Sequence, residues 1–243
     1  MESNTFVIGD IHGGLAAVKQ VLERAKVTRH DQLIFLGDYV DGWGESRQVL
    51  EFLMELREQQ DCIFLKGNHD QWCEEWLMTG NVSEVCYAHG GKATMMSYEG
   101  IDEAAREKHI DFFGEMLTYH IDSKKRLFVH AGFVSTHGPE YDNEGNLLWE
   151  RTLWEMAAAM DKNLDRNSVF FPKRLKLFEE IYIGHTPTSN YEIYEPMNVY
   201  NLWNIDTGAA FGGSLTILNV NTKQYWQSDR LNTLYPNEVG RRR

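Results

Sequence analysis

The chain has 243 residues, with 24 Lys+Arg against 36 Asp+Glu, a formal charge of −12, and 42 % hydrophobic residues. These are ordinary globular proportions, enough for one large domain or two small ones, and they exclude a disordered, collagen-like or coiled-coil chain. The acidic balance argues against non-specific binding to nucleic acid. Cys62, Cys73 and Cys86 are too few and too irregularly spaced for a disulfide framework, which favours a reducing compartment, and no run approaches the roughly 18 apolar residues of a membrane span. A cytoplasmic protein with no membrane or nucleic-acid partner is expected.

Thr5-Phe6-Val7-Ile8 reads as a short buried strand and runs directly into Gly9-Asp10-Ile11-His12-Gly13-Gly14. Residues 15–25 then carry apolar side chains at 15, 18, 21, 22 and 25, one face of a helix. A second strand, Gln32-Leu33-Ile34-Phe35-Leu36, ends in Gly37-Asp38-Tyr39-Val40-Asp41, and 49–56 repeats the helical face. Cys62-Ile63-Phe64-Leu65 leads into Gly67-Asn68-His69-Asp70. Residues 71–125 are rich in helix formers and interrupt the strands, which predicts an inserted helical cap, with Trp72, Trp76 and Met78 packing inside it. Two further strands end in His130-Ala131-Gly132 and Gly184-His185-Thr186-Pro187. After Pro196, runs at 199–205, 215–220 and 224–227 predict a second, more antiparallel sheet. Arg241-Arg242-Arg243 reads as a frayed tail.

Five strand ends therefore carry Asp, Asn or His within two or three residues. One such residue is ordinary turn chemistry. Five in succession are a set, because loops at the carboxyl ends of strands in an open α/β sheet converge. The pooled residues are Asp10, His12, Asp38, Asn68, His130 and His185, with Asp41 and His69 beside them. Oxygen and nitrogen donors without thiolate suit Mn, Fe, Zn or Mg better than a cysteine-rich zinc site does.

In this order and with these glycines, the motifs resemble those of the calcineurin-like metallophosphoesterases. Within that group the chain is similar to the bacterial and phage branch of serine/threonine phosphoprotein phosphatases, close to the symmetrical diadenosine tetraphosphatases. The resemblance runs from Thr5 to about Asn219. It implies an α/β fold of two mixed sheets packed face to face with flanking helices, a four-layer sandwich forming a single domain over 1–243. It also implies two divalent metal ions, manganese first among them, and an activated hydroxide as nucleophile. Asp10 and His12 would hold the first metal, Asp38 would bridge, and Asn68, His130 and His185 would hold the second. Asn68 would also reach the substrate. His69 would protonate the leaving group, oriented by Asp41, and Arg151 of Trp149-Glu150-Arg151 would grip phosphate.

The implied reaction is hydrolysis of a phosphomonoester or phosphoprotein, with a dinucleoside polyphosphate or another phosphorylated small molecule as the alternative substrate. The chain departs from the pattern after Asp41. The family has Arg-Gly there, with the Arg on phosphate, whereas this sequence reads Gly42-Trp43-Gly44. Arg47 and Lys66 are the nearby candidates to replace that cation, and Trp43 would either stack on a base or pack against the cap. Tyr87-Ala88-His89-Gly90-Gly91 follows no strand and fits a cap glycine pair rather than a metal loop. His30, His109, His120 and His137 are expected to be exposed. A catalytically silent scaffold would have lost ligands, yet all six positions are kept, along with His69 and Asp41.

Overall fold

The computed structural model describes residues 3–241. Its strands are β1 (Thr5–Ile8), β2 (Gln32–Phe35), β3 (Asp61–Phe64), β4 (Tyr119–Ile121), β5 (Arg126–Val129), β6 (Glu180–Ile183), β7 (Met197–Val199), β8 (Leu202–Asn204), β9 (Thr216–Asn219) and β10 (Tyr225–Gln227). The helices used below are α1 (Leu15–Arg24), α2 (Ser46–Arg57), α3 (Asn68–Thr79), α4 (Glu84–Cys86), α5 (Lys92–Ser97), α6 (Glu103–Gly114), α7 (Glu144–Trp149) and α8 (Thr152–Ala158).

Two five-stranded sheets form, in the orders β10-β9-β1-β2-β3 and β4-β5-β6-β8-β7. In the first, β1, β2 and β3 are parallel, and β9 and β10 are antiparallel additions. In the second, β5, β6 and β8 are parallel between antiparallel edges.

Alternation along the strands explains the layering. Phe6, Ile8, Leu33, Phe35 and Ile217 face a core shared with α1 and α2. Leu127, Val129, Ile181 and Ile183 face a second core with Leu153 and Trp154 of α8. The residues between them, Val7, Ile34, Phe128, Tyr182 and Leu218, meet in a third core between the sheets. Burying each such side chain contributes about 1.5–3 kcal/mol, against roughly 1–2 kcal/mol to fix one residue's backbone. Packing on both faces, more than local propensity, therefore holds strands of only three or four residues.

Three sequence expectations change. The 199–205 run is a hairpin, because Tyr200 adopts a left-handed φ of 55° and reverses the chain between β7 and β8. The strands after Pro196 do not build their own sheet: β7 and β8 extend β6, while β9 and β10 extend β1. The helical stretch spans 68–114, and β4 follows it as an edge strand on β5. This stretch shares the first core through Cys73, Leu77, Tyr98, Phe112 and Phe113.

Candidate active site

The loops after β1 and β2 are zipped together: the N–H groups of Ile11 and His12 donate to the Asp38 carbonyl at 3.0 and 2.8 Å. Asp70, in the first turn of α3, ties in the third loop. Its carboxylate accepts from the N–H groups of Gly67 (2.7 Å), Asp38 (2.7 Å) and Tyr39 (2.8 Å), so it caps its helix and pins the Asp38 loop at once. On the other sheet, Gly184 N–H donates to the His130 carbonyl at 2.8 Å. His12, Asp38, Asp41 and His185 all have left-handed φ, between 52° and 67°. Such a conformation costs on the order of 1–3 kcal/mol per non-glycine residue, which marks these turns as shaped for their side chains.

These loops bring Asp10, His12, Asp38, Asp41, Asn68, His69, His130 and His185 together, all buried. His12 and His130 are each fixed by a backbone bond from Nδ1, to the Asp41 carbonyl (2.8 Å) and the Leu36 carbonyl (2.8 Å). That leaves each Nε2 as an acceptor facing an Asp38 oxygen, at 3.4 Å in both cases. Acceptor set against acceptor is an arrangement that a cation relieves. Asp10 Oδ1 and His185 Nε2 are buried with no partner, although the other Asp10 oxygen accepts from His185 N–H at 2.9 Å. Gly184 allows this close approach, since a Cβ there would stand 2.0 Å from Asp10 Oδ1.

The donor atoms of His12, Asp38 and His69, and those of Asp38, His130 and His185, lie within 4.8 Å of one another. Asp38 is common to both groups, as a bridging ligand requires, whereas Asp10 stands outside them and His69 stands inside the first. Burial pushes Asp38 and Asp206 up to about 7. It pushes Asp10 well above the usual carboxylate range, with the Asp206 and Asp38 charges adding to the effect. Burial also drives His12 and His185 well below the ordinary imidazole value and His130 to about 4. Crowded carboxylates beside neutral imidazoles fit divalent cations in charge and in donor type.

His69 Nδ1 lies 2.7 Å from Asp41 Oδ2, both side chains being buried. Thr94 of α5 donates to the other Asp41 oxygen (2.6 Å) and accepts from Asp41 N–H (2.9 Å), so the helical stretch orients this pair. Gly90 makes the approach possible, because a Cβ there would lie 2.7 Å from Gly42 N.

The cleft over this cluster has a volume of about 340 Å³, and its walls include Trp72, His89, Trp149, Arg151, Asp206 and Arg241. Arg151 is exposed and, among the described residues, forms no ion pair with Glu150 or Glu155. Neither Arg47 nor Lys66 reaches the cleft: Arg47 lies 3.6 Å from Glu51 and Lys66 2.7 Å from Glu74. The arginine that joins Arg151 in the cleft is Arg241, expected from the sequence to lie in a frayed tail; Arg242 and Arg243 lie outside the described residues. Trp43 is fully buried outside the cleft lining and packs on Tyr235 (ring centroids 5.4 Å apart), so it offers no face to a cleft ligand. Trp72, expected to be packing, lines the cleft beside Trp149 (4.9 Å), while Trp76 packs against the first core and Met78 is exposed. His109 is buried rather than exposed, because it shares a face of α6 with Phe112 and Phe113. His30 and His137 are exposed, and His120 is partly covered. Asp206 was missed, although it follows β8 by two residues and obeys the same strand-end rule as the others.

The sequence pattern of the calcineurin-like phosphoesterases matches residues 4–207. A bis(5'-nucleosyl)-tetraphosphatase PrpE of Bacillus thuringiensis, named as asymmetrical, is 30 % identical over 229 residues, covering 87 % of this chain and 88 % of its own. A chain provisionally named a diadenosine tetraphosphatase superposes with a TM-score of 0.63 at 16 % identity, covering 93 % of this chain and 92 % of its own. A protein serine/threonine phosphatase from Saccharomyces cerevisiae gives 0.61 at 14 % identity, covering 93 % and 80 %. The family uses a pair of divalent metal ions, for which the grouped Asp and His residues are candidate ligands. With the family's pattern across most of its length and that donor set at its strand ends, this chain belongs to the calcineurin-like phosphoesterases and is a metal-dependent phosphoester hydrolase.

Proposed function

We propose that this enzyme hydrolyses the polyphosphate chain of a dinucleoside polyphosphate. The observation that carries the reading is the pair of partly exposed indoles, Trp72 and Trp149, lining the cleft directly above the Asp and His cluster. Indole faces stack on nucleobases, and stacking contributes about 1–3 kcal/mol per base. The names of relatives that match along nearly their whole length agree with this substrate class.

In this reading Asp10 and His12 would hold one metal, Asn68, His130 and His185 the other, and Asp38 would serve both; the His69 ring lies beside the first group of donors. When bound, the cations supply charge neutralisation and an activated water. Asn68, which lines the cleft, would reach substrate as well as metal. Asp41 holds the His69 ring so that its outer nitrogen protonates the leaving oxygen, and Thr94 keeps Asp41 from turning away. Arg151 grips a phosphoryl group with a guanidinium not engaged elsewhere. Trp72 also meets the His69 ring edge-on at 5.0 Å, which couples the stacking wall to the proton donor.

The test is Mn-supplemented hydrolysis of diadenosine tetraphosphate and a phosphoserine peptide, equimolar in one tube, with both products followed by chromatography. Preferential cleavage of the dinucleotide is expected, and Trp72→Ala should raise KM for it without raising KM for p-nitrophenyl phosphate. Preferential release of phosphate from the peptide would overturn the reading in favour of a phosphoprotein phosphatase.

A further inference from the structure

We propose that Arg241 is a second phosphate-binding group of the cleft, carried there by the segment after Leu234 and acting with Arg151 on the substrate's phosphoryl oxygens. The inference rests on the phosphoester hydrolase assignment and not on the dinucleotide reading.

The segment is fastened all the way up to the point where the Arg241 side chain leaves it. Trp43, fully buried, donates from Nε1 to the Ala209 carbonyl (3.0 Å) and stacks on Tyr235. Glu238 accepts from Gly44 N–H (2.7 Å), and Arg241 N–H donates to the Ala210 carbonyl (2.8 Å). Gly240 turns between them at φ +64°, pressed so closely that a Cβ would lie 2.7 Å from the Trp43 ring. The Arg241 stem then crosses two glycines: a Cβ on Gly42 would come 3.5 Å from its Cγ, and one on Gly90 would come 3.1 Å from it. A side chain at Gly90 would press the stem out of place, whereas at Gly42 the stem only makes ordinary contact.

The guanidinium ends in the cleft with its donors largely unspent. Its carbon lies 5.1 Å from the Phe211 ring centroid, and Nη2 is 3.4 Å from His89 Nδ1. Its Nε is buried without a hydrogen-bond partner, and among the described residues it forms no ion pair. A group that is always charged, is held by its backbone and faces a metal-ligand cluster with free N–H donors is matched to an oxyanion. Its field already reaches the cluster, favouring the ionised forms of Asp38 and Asp41 and opposing protonation of His12 and His69. Substrate phosphate would therefore arrive between Arg241, Arg151 and the Asp and His cluster.

Arg241→Ala and Arg241→Lys in the full chain, loaded with Mn, test this. The readouts are KM and kcat for p-nitrophenyl phosphate, calorimetric binding of inorganic phosphate, bound metal and Tm. Arg241→Ala is expected to weaken phosphate binding and raise KM by about tenfold or more. Metal content and Tm should stay unchanged, and Arg241→Lys should fall between, keeping the charge but losing the fork. Unchanged phosphate affinity in Arg241→Ala would overturn the proposal. A rise in kcat/KM would also overturn it, by showing that the side chain obstructs the cleft. Loss of metal would assign Arg241 to the balance of the carboxylates instead, and a fall in Tm shared by Arg241→Lys would assign it to folding. Phosphate binding is measured without turnover, so failure of the hydrolase assignment would show separately, as phosphate held but no ester cleaved.

Discussion

The floor of the cleft and its walls are built differently. The floor is made of strand-end loops in which five or six residues carry both the turn and the chemistry, and its geometry is fixed by backbone bonds such as His12 N–H to the Asp38 carbonyl. The walls are made of α3, the turn before α5, the end of α7 and the segment after the short Leu231–Leu234 helix, which meet only through tertiary packing. A short motif determines the floor, whereas contacts between residues nearly two hundred positions apart, such as Trp43 with Gly240, determine the walls. The lesson is that the reaction type is encoded locally, and the choice of phosphorylated substrate is encoded in the long-range packing.

Asp38→Asn strikes the floor and gives the largest expected effect. Asp38 stands in both groups of donor atoms, and its oxygens also accept from His69 N–H at 3.0 Å. Losing its charge should lower bound metal and kcat together, by at least the roughly 10–100-fold that loss of an outer partner of a metal ligand costs. Metal analysis beside steady-state kinetics checks this; full metal content with full activity would remove Asp38 from the bridging role.

Thr94→Val strikes the joint between floor and wall. The substitution keeps the shape but removes the hydroxyl that holds the second Asp41 oxygen and satisfies the Asp41 N–H. Stability should fall by about 1–3 kcal/mol, because a buried carboxylate oxygen loses its hydroxyl donor and the Asp41 N–H keeps only its longer bond to Ser46 Oγ (3.3 Å). The catalytic rate should fall about tenfold while metal is retained, and Thr94→Ser should restore both. Chemical denaturation and kinetics on the two variants separate this outcome from general damage.

The same contrast explains how much was legible. Asp10, His12, Asp38, Asn68, His130 and His185 could be pooled because each follows a recognisable strand, and the structure buries all six together. Asp206 obeys that rule too, but 199–205 reads as one continuous strand of a separate sheet, which hides the Tyr200 hairpin and the strand end that Asp206 follows. Arg241 and Trp72 carry no local mark. An arginine after a glycine and a tryptophan on a helix read alike whether they face water, core or substrate, and only packing decides: Trp43 against Gly240 for the arginine, His69 and Trp149 for the tryptophan. The sheets were legible as α/β from apolar runs, but strand order was not, since β9 joins β1 across most of the chain.

His109 tests α6, which packs behind the α3 wall, without touching the floor, and its expected effect is the smallest. It is buried on α6, with Nδ1 2.7 Å from the Tyr98 hydroxyl. Burial, aided by the Arg47 charge, lowers it to about 4 from the ordinary imidazole value of 6.5. Between those two values the unfolded chain binds a proton that the folded chain refuses, so stability is complete above pH 6.5 and declines as pH falls toward 4. At pH 5 the loss should be about 2 kcal/mol relative to pH 7.5. The buried carboxylates of the floor also titrate, so the measurement is a difference: unfolding free energies of the wild type and of His109→Gln at both pH values. The variant should lack that part of the decline. Parallel curves would show that His109 accepts its proton in the folded state, with α6 loose enough to admit water; the helical wall would then be a less rigid body than the floor it covers.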